Sequence, residues 1–260
     1  PLFIKCLDNL ERFHKRISRI QVTHSKMRDL ILSTGIDPNK IFMIPIGINV
    51  NFFPRQTPLS KSNMRKKYQI PGDAVVIGSF QKDGNGWEHG DIPKLVKGPD
   101  VFLKTVEILK KKIPELFILL SGPARGYVKN GLDKMNIPYC HIYLEDYPKI
   151  SELYHCLDLY IVTAREEGGP KAVLESMSSG IPLVTTKVGQ AVDLVKHGRN
   201  GWMAEVGDVE GLAYWVERAL NNITDTEEVI RKGFDTAMSN TYKSQVPVWK
   251  KFFHGLVEPV

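Results

Sequence analysis

Two carboxylates stand eight residues apart in the segment from Glu166 to Met177, where a glycine turn leads into a predicted helix. Glu167 lies in the turn, and Glu175 follows on the helix. A helix start attracts anions, because free backbone N–H groups and the positive end of the helix dipole converge there. Carboxylates beside it accept hydrogen bonds from hydroxyls. The segment therefore predicts a site for a ligand with a phosphate at one end and hydroxyls at the other, as in a sugar nucleotide.

Composition and charge limit the classes of protein that the chain can represent. Of its 260 residues, 42% are hydrophobic and 25% are charged, as is ordinary for a globular protein. The formal net charge of +6 favours anionic partners but is modest for a nucleic-acid binder, so we expect no nucleic acid. The three cysteines lack the spacing of a metal site or a disulfide framework, which predicts reduced thiols, a cytoplasmic protein and no metal.

Strand and helix patterns alternate from about residue 75 to residue 220. Six apolar runs predict strands, at residues 74–80, 116–122, 141–144, 157–163, 181–186 and 202–206. Helical spacing occupies residues 99–113, 128–135, 150–156, 170–179, 190–196 and 209–221. Continuous apolar strands separated by helices predict an α/β fold with a Rossmann-like, doubly wound parallel sheet. Its ligand is expected at the carboxyl ends of the strands, where the loop of Glu167 follows the fourth strand.

The flanks of this region follow other patterns. Residues 17–23 predict a strand, residues 25–33 a helix, and residues 44–54 a connector. Residues 224–239 and 246–256 predict two further helices, the second with an apolar face that includes Trp249, Phe252 and Phe253.

The order of these motifs resembles the retaining glycosyltransferases of the glycosyl transferases group 1 (GT4-like) family, which have the two-domain GT-B architecture. The resemblance runs from about Arg19 to Leu220 and is most specific at Glu167 and Glu175. It is supported by residues 176–184, by Gly198-Arg-Asn-Gly-Trp202 and by the connector-like residues 39–49.

The resemblance implies a division of the chain. Residues 1–45 would be the tail of an amino-terminal acceptor domain with a linker, and residues 46–222 the nucleotide-sugar donor-binding domain. Residues 223–260 would be helices that brace the amino-terminal domain. Because most of that domain is not in this sequence, we expect a carboxy-terminal fragment of a longer enzyme whose last helices have little to pack on.

The family's chemistry maps onto individual residues as an implication of the resemblance. Glu175 resembles the carboxylate that accepts hydrogen bonds from the ribose, and Glu167 the group that contacts the donor sugar near the transferring carbon. Lys97 matches the lysine that neutralises the diphosphate leaving group, where charge accumulates in such a transfer. The remaining predicted contacts are the turn before the helix (Gly168, Gly169, Pro170 and Lys171) and, in the segment that frames the base, Tyr143 and Asp146.

Three features depart from the family's pattern. Ser79 follows Gly78 where an arginine usually grips the diphosphate, and Lys82 is the expected source of the missing charge, although a lysine is a point charge and not a planar fork. Residues 84–95 resemble an insertion that could form a lid. Pro170 replaces a frequent glycine and removes one N–H donor, which Lys171 would offset electrostatically.

The sequence thus predicts the donor-binding half of an enzyme that transfers a hexose from a nucleoside-diphosphate sugar to a hydroxyl of a glycan or lipid-linked acceptor. It implies no cofactor and no metal, and the basic charge favours the inner membrane face. A binding module without catalysis remains an alternative, and a nucleotide-sugar epimerase a more distant one. Without the surrounding motifs, Glu167 and Glu175 would be a charge at a helix start and a solvent-facing carboxylate.

Overall fold

The computed structural model describes residues 2–256, apart from the side chains of residues 2, 3 and 223. Its strands are β1 (Ile20–Val22), β2 (Ile41–Met43), β3 (Val75–Phe80), β4 (Leu116–Ser121), β5 (Tyr139–Ile142), β6 (Leu159–Val162), β7 (Leu183–Thr186) and β8 (Trp202–Ala204). Its helices are α1 (Leu2–Phe13), α2 (Ser25–Leu32), α3 (Pro58–Lys67), α4 (Pro99–Lys110), α5 (Gly126–Lys134), α6 (Ile150–Tyr154), α7 (Lys171–Ser178), α8 (Ala191–Leu194), α9 (Val209–Asn221), α10 (Ile223–Ser239) and α11 (Tyr242–Phe253).

The central sheet has six strands in the order β5-β4-β3-β6-β7-β8, and every neighbouring pair is parallel. The chain winds outward from β3 to β5 and then returns to the middle to wind outward from β6 to β8. The order therefore reverses between β3 and β6, which creates a crevice at their carboxyl ends. This arrangement confirms the predicted α/β fold with a Rossmann-like, doubly wound parallel sheet.

Side chains alternate between two cores, one on each face of the sheet. Val76 of β3 belongs to the core that includes Val173 of α7, whereas Ile77 belongs to the core that includes Phe102 of α4 and Val216 of α9. All five side chains are fully buried. Burying each such side chain is worth about 1.5–3 kcal/mol, so helices on both faces hold the strands that present the site.

The helix over residues 209–221 is found as predicted. Other element boundaries differ from the prediction, because hydrogen bonding overrides the apolar pattern there. The third strand begins two residues earlier than predicted, because Tyr139 pairs with Ile118 of β4. Pro170 is the residue before α7 and not its first residue, since its ψ of 103° is extended.

The amino-terminal flank contains structure that the sequence did not predict. β2, within a segment taken as part of the connector, pairs in parallel with β1. Helices α1 and α3 were also not predicted. Leu7 and Leu10 of α1 pack against a small core formed by Val22, Ile31 and Ile36.

The expectation that the last helices have little to pack on is wrong for the described residues. α10 packs on α7, and Asn200 donates to the Thr236 hydroxyl at 2.9 Å. On α11, Phe252 meets the ring of Phe42 edge-on at 5.4 Å, and Gln245 donates to the carbonyl of Pro45 at 2.9 Å. α10 therefore packs on the central domain, whereas α11 packs on the flank of β1 and β2 and the connector. Residues 257–260 lie outside the described part.

Candidate functional site

A cavity of about 340 Å³ opens at the crevice between β3 and β6. We call it the central cavity. Its walls are the loop that follows β3, the loop that follows β6 and the start of α7. Of the predicted site residues, it brings together Lys82, Lys97, Glu167, Gly169, Pro170, Lys171 and Glu175.

A glycine turn positions Lys97. Gly98, which precedes α4, has φ +67°, and a Cβ at this position would lie 1.9 Å from the carbonyl oxygen of Thr163. Only glycine allows this close approach of two backbones. The contact is closed by the Thr163 hydroxyl, which donates to the Gly98 carbonyl at 3.0 Å, and by the Arg165 N–H, which donates to the Val96 carbonyl at 2.8 Å. The turn therefore holds Lys97 against the loop after β6.

Lys97 and Glu167 form an ion pair across the central cavity. The Lys97 Nζ lies 2.5 Å from Glu167 Oε1, and the two side chains are 24% and 17% exposed. The backbone of the Glu167 loop packs closely against Gly189, where a Cβ would lie 2.5 Å from the Glu167 carbonyl oxygen. The carboxylate and the ammonium therefore meet at the crevice although they come from distant segments.

Glu175 is the buried carboxylate of the central cavity, and it is 4% exposed. The hydroxyl of Tyr154 donates to Glu175 Oε2 at 2.9 Å, and the hydroxyl of Tyr147 donates to Oε1. Burial raises the pKa of the Glu175 carboxyl, while the two hydroxyls and Lys171 partly lower it. Sequence reasoning missed both tyrosines, since no local pattern connects residues 147 and 154 to residue 175.

Four lysines line the central cavity, namely Lys82, Lys94, Lys97 and Lys171. Lys94 was not predicted, and nothing in the sequence distinguishes it from a surface lysine. Lys82 lies with its Nζ 3.5 Å from the centroid of the Trp87 ring, and Lys171 lies with its Nζ 5.1 Å from the centroid of the Tyr147 ring. With two carboxylates against four ammonium groups, the cavity suits an anionic ligand.

Several predicted contacts lie outside the central cavity. The hydroxyl of Ser79 is buried and accepts a hydrogen bond from Arg125 Nη2 at 3.2 Å. Tyr143 is 61% exposed, and Asp146 is exposed as well, with an oxygen 3.9 Å from the Lys149 Nζ. Gly168 lines a separate cleft on the other side of its loop, which is described below.

A buried ion pair supports the loop after β3. Arg125 and Asp83 are both inaccessible to solvent, with Arg125 Nε 3.0 Å from Asp83 Oδ1. Neither Asp83 oxygen has a hydrogen-bond partner among the described residues. Burial raises the pKa of Asp83 and lowers that of Arg125, and the attraction between the two partly opposes both shifts. Arg125 also donates to the carbonyls of Ser79 and Ser121 at 2.6 and 2.8 Å, so it ties the ends of β3 and β4 to this loop.

The segment over residues 84–95, predicted to be an insertion, folds back on itself beside the central cavity. Gly84 and Pro93 form an antiparallel bridge, and the Lys94 N–H donates to the Asp83 carbonyl at 2.7 Å. The tip is attached to the start of α5, because the Gly126 N–H donates to the His89 carbonyl at 2.7 Å. This attachment fixes the base from which Lys94 reaches the cavity; the role of a lid stays a prediction.

A second, larger cleft of about 570 Å³ lies on the other side of Glu167, and we call it the front cleft. Its lining includes His24, Lys26, Lys97, Glu167 and Gly168. His24 is 6% exposed, its Nδ1 accepts from the Met27 N–H at 3.3 Å, and its Nε2 has no partner among the described residues. Burial lowers the pKa of this imidazole.

Lys97 and Glu167 line both spaces and so lie between them. The front cleft is closed on one side by the amino-terminal flank, where the Thr23 hydroxyl donates to the Gly168 carbonyl at 2.7 Å.

Residues 2–256 contain neither a cluster of metal ligands nor a helix that could span a membrane. No group of three or more histidine, cysteine or acidic side chains is placed to hold a metal ion. No helix in this range has the length and hydrophobicity needed to cross a membrane.

The fold is that of GT-B glycosyltransferases. The Anabaena protein Alr3699/HepE, solved in complex with UDP and glucose, superposes with a TM-score of 0.78 at 18% identity, covering 97% of this chain and 67% of that one. Sucrose-phosphate synthase from Thermosynechococcus elongatus superposes with a TM-score of 0.75 at 16% identity, covering 94% of this chain and 60% of that one. The sheet, its switch point and these neighbours therefore define the fold class of the chain as GT-B.

The family follows from the sequence comparison, because the profile described as "Glycosyl transferases group 1" matches residues 93–235, more than half of the chain. The chain belongs to this family. It is 25% identical over 241 residues to N-acetyl-alpha-D-glucosaminyl L-malate synthase of Bacillus anthracis, covering 91% of this chain and 58% of that protein.

A second relative is an Escherichia coli UDP-Gal:alpha-D-GlcNAc-diphosphoundecaprenol alpha-1,3-galactosyltransferase. It is 24% identical over 219 residues, which cover 81% of this chain and 52% of the relative. The chain thus spans between half and three fifths of the length of these curated relatives.

Proposed function

We propose that the chain binds a nucleoside-diphosphate sugar in the central cavity and forms the donor-binding half of a retaining hexosyltransferase. The observation that carries the proposal is the meeting of Lys97, Glu167 and Glu175 at the switch point of the sheet. A buried carboxylate and a cluster of lysines in the same cavity match a ligand that carries both hydroxyls and phosphates. Membership of the glycosyl transferases group 1 family supports the same ligand class.

In the proposed complex each group has a distinct task. Glu175 accepts hydrogen bonds from the ribose, and Lys97, with Lys82, Lys94 and Lys171 nearby, neutralises the diphosphate. Glu167, which lies between the central cavity and the front cleft, contacts the sugar near its transferring carbon. Tyr143 and Asp146 belong to the exposed segment that would frame the base.

Transfer is proposed to proceed on one face of the sugar. The bond between the anomeric carbon and the phosphate oxygen breaks, the acceptor oxygen bonds to the same face, and its proton passes to the departing phosphate. The negative charge that develops on that phosphate is stabilised by Lys97, which is held by the Gly98 turn before the reaction begins. Neutralisation by these lysines and backbone dipoles is proposed to need no metal.

One structural neighbour and one relative indicate which nucleotide and which acceptor to test first. UDP is the first donor probe, because the Anabaena neighbour was solved in complex with UDP and glucose. A glycan or lipid-linked acceptor is proposed from the diphosphoundecaprenol acceptor in the name of the Escherichia coli relative. A cytoplasmic location is proposed from the cysteines, which are expected to be reduced, and peripheral attachment to the inner membrane face from the net charge of +6.

One observation favours a second candidate, a nucleotide-sugar binding module without transfer. Ser79 stands where the family usually has an arginine, and its side chain is turned into the fold towards Arg125. The diphosphate would then meet lysines only, and these are point charges without the planar fork of arginine.

The two candidates are separated by nucleotide binding, measured on the purified chain, and by turnover, measured on the full-length protein. We expect UDP to raise the melting temperature of the purified chain more than GDP or ADP does, and Glu175→Ala to abolish that rise. Donor hydrolysis and transfer are then assayed with the full-length protein. Binding without turnover in the full-length protein would support the binding module. If no nucleotide stabilises the wild type, or Glu175→Ala responds equally, the proposed site is wrong.

A further inference from the structure

Both oxygens of Glu175 are already engaged in the free protein. Tyr147 donates to Oε1 and Tyr154 donates to Oε2. Because Glu175 is 4% exposed, little of its accepting capacity remains open to a ligand. A ribose that binds this carboxylate must therefore replace a hydroxyl that is present.

The two tyrosines differ in their freedom to leave. Tyr154 is fully buried, with its ring 5.1 Å from that of Phe80 and 5.2 Å from that of Tyr160. Tyr147 is 47% exposed and has a single described ring neighbour, Phe53, whose centroid lies 6.1 Å away. Tyr154 is thus a fixed support of the carboxylate, whereas Tyr147 can rotate away.

Tyr147 also stands in a wall between two spaces. With Lys171 and Glu175, it lines the central cavity and a smaller cavity of about 140 Å³, whose other walls include Phe52 and Tyr242. The smaller cavity offers apolar space to the ring when it moves.

Lys171 links this wall to the phosphate end of the site. Its Nζ lies 5.1 Å from the centroid of the Tyr147 ring, close enough for a cation–π attraction. When the ring leaves, the ammonium loses this partner and remains beside the central cavity. Displacement of Tyr147 would therefore open Glu175 to the ribose and release Lys171 towards the diphosphate in one movement.

We propose that Tyr147 is a gate that caps Glu175 in the free protein and is displaced by the ribose hydroxyls of the nucleotide. This inference rests on the proposed nucleotide site. Since the cap competes with the ligand, removing its hydroxyl strengthens binding, whereas removing the hydroxyl of Tyr154 weakens it. If both hydroxyls had a purely structural role, removing either one would change the UDP affinity in the same direction.

The test measures UDP affinity of the 260-residue chain by calorimetry. Tyr147→Phe, which keeps the ring, is expected to bind UDP about tenfold more tightly, the effect of one hydrogen bond to a charged group. Tyr154→Phe is expected to bind it more weakly, and Tyr214→Phe, remote from the site, is the matched control. In the Glu175→Ala background, where UDP binding is expected to be lost, Tyr147→Phe should not restore it. Tyr147→Ala serves as a second variant, with circular dichroism to verify folding.

The outcomes separate the gate from the site on which it depends. If the wild type binds UDP and both Tyr147 variants bind it equally or more weakly, the gate is wrong and the site stands. If neither the wild type nor Tyr147→Phe binds UDP, GDP or ADP, the proposed function fails and the gate fails with it. Binding by Tyr147→Phe alone would support the gate, since the cap would then hold the wild type closed.

Discussion

Lys97 Nζ lies 2.5 Å from Glu167 Oε1, and this pair joins the turn before α4 to the loop after β6. In the free protein each charge neutralises the other at the point where the sheet order reverses. A phosphate that enters the central cavity competes with Glu167 for the same ammonium. Under the proposed function, the affinity of the site therefore depends on a lysine that is held in place before the ligand arrives.

Replacing Lys97 by methionine is expected to weaken UDP binding by about tenfold to a hundredfold, the range of one hydrogen bond between charged groups. Because the contact is to phosphate, inorganic pyrophosphate should lose affinity as well. Both are measured by calorimetry. Lys112→Met is the control, since Lys112 pairs with Glu217 on the surface. Equal UDP affinities of the wild type and Lys97→Met would remove Lys97 from the diphosphate site.

Glu175→Gln is expected to stabilise the free protein at neutral pH although it impairs ligand binding. Burial raises the pKa of Glu175 above its ordinary value of 4.5, so the folded protein holds this proton to a higher pH than the unfolded chain does. The stability contributed by the group is complete below about pH 4.5 and is lost as the pH rises through the raised pKa. Glutamine does not ionise, so the variant avoids that loss.

Melting temperatures between pH 4 and pH 8 measure this effect, and a stability difference of 1 kcal/mol corresponds to about 2–4 °C in a chain of this size. The advantage of Glu175→Gln should grow with pH. Glu228→Gln is the control of opposite sign, because Lys232 lowers the pKa of Glu228 and the variant loses that interaction at neutral pH. An advantage that does not change with pH would contradict the buried, ionisable role of Glu175.

The order of elements and the carboxylates of the site could be predicted from the sequence, because both depend on local pattern. Apolar runs and helical spacing are sufficient to define a parallel sheet, and Glu167 follows directly after its fourth strand. The turn at Gly98 also lies beside Lys97 in the sequence. These residues lie in or beside the elements that carry them in the chain.

The supports of the site could not be predicted, because they join distant segments. Tyr147 reaches Glu175 across 28 residues, and Arg125 reaches Ser79 across 46. Tyr147 lies inside the segment predicted to frame the base, and that prediction concerns only the backbone of the segment. The side chain of Ser79 points into the fold because Arg125 donates a hydrogen bond to it. No residue near Ser79 in the sequence indicates this partner.

Asp83→Asn is expected to destabilise the protein strongly, because Arg125 would keep a buried positive charge without its counter-ion. Breaking one side of a buried ion pair costs about 3–5 kcal/mol, which corresponds to a fall in melting temperature of about 10 °C. Thermal unfolding followed by circular dichroism measures it. Glu217→Gln, which breaks the half-exposed pair with Lys112, should leave the melting temperature nearly unchanged. Similar melting temperatures for both variants would show that the buried pair does not support the loop.

Lys82 is expected to move from Trp87 to the diphosphate when UDP binds. Its Nζ lies 3.5 Å from the centroid of a ring that is 79% exposed, and such an exposed cation–π contact is worth about 0.5–1 kcal/mol. A hydrogen bond from the same ammonium to phosphate is stronger, at about 1.5–3 kcal/mol, so the phosphate should win. UDP should therefore change the fluorescence of Trp87, and the change should be absent in Trp87→Phe and in Lys82→Met. Trp87→Ala should bind UDP slightly more tightly, because the lysine no longer has to leave the ring. If UDP binds while the Trp87 signal stays constant, Lys82 remains on the ring and does not replace the missing arginine.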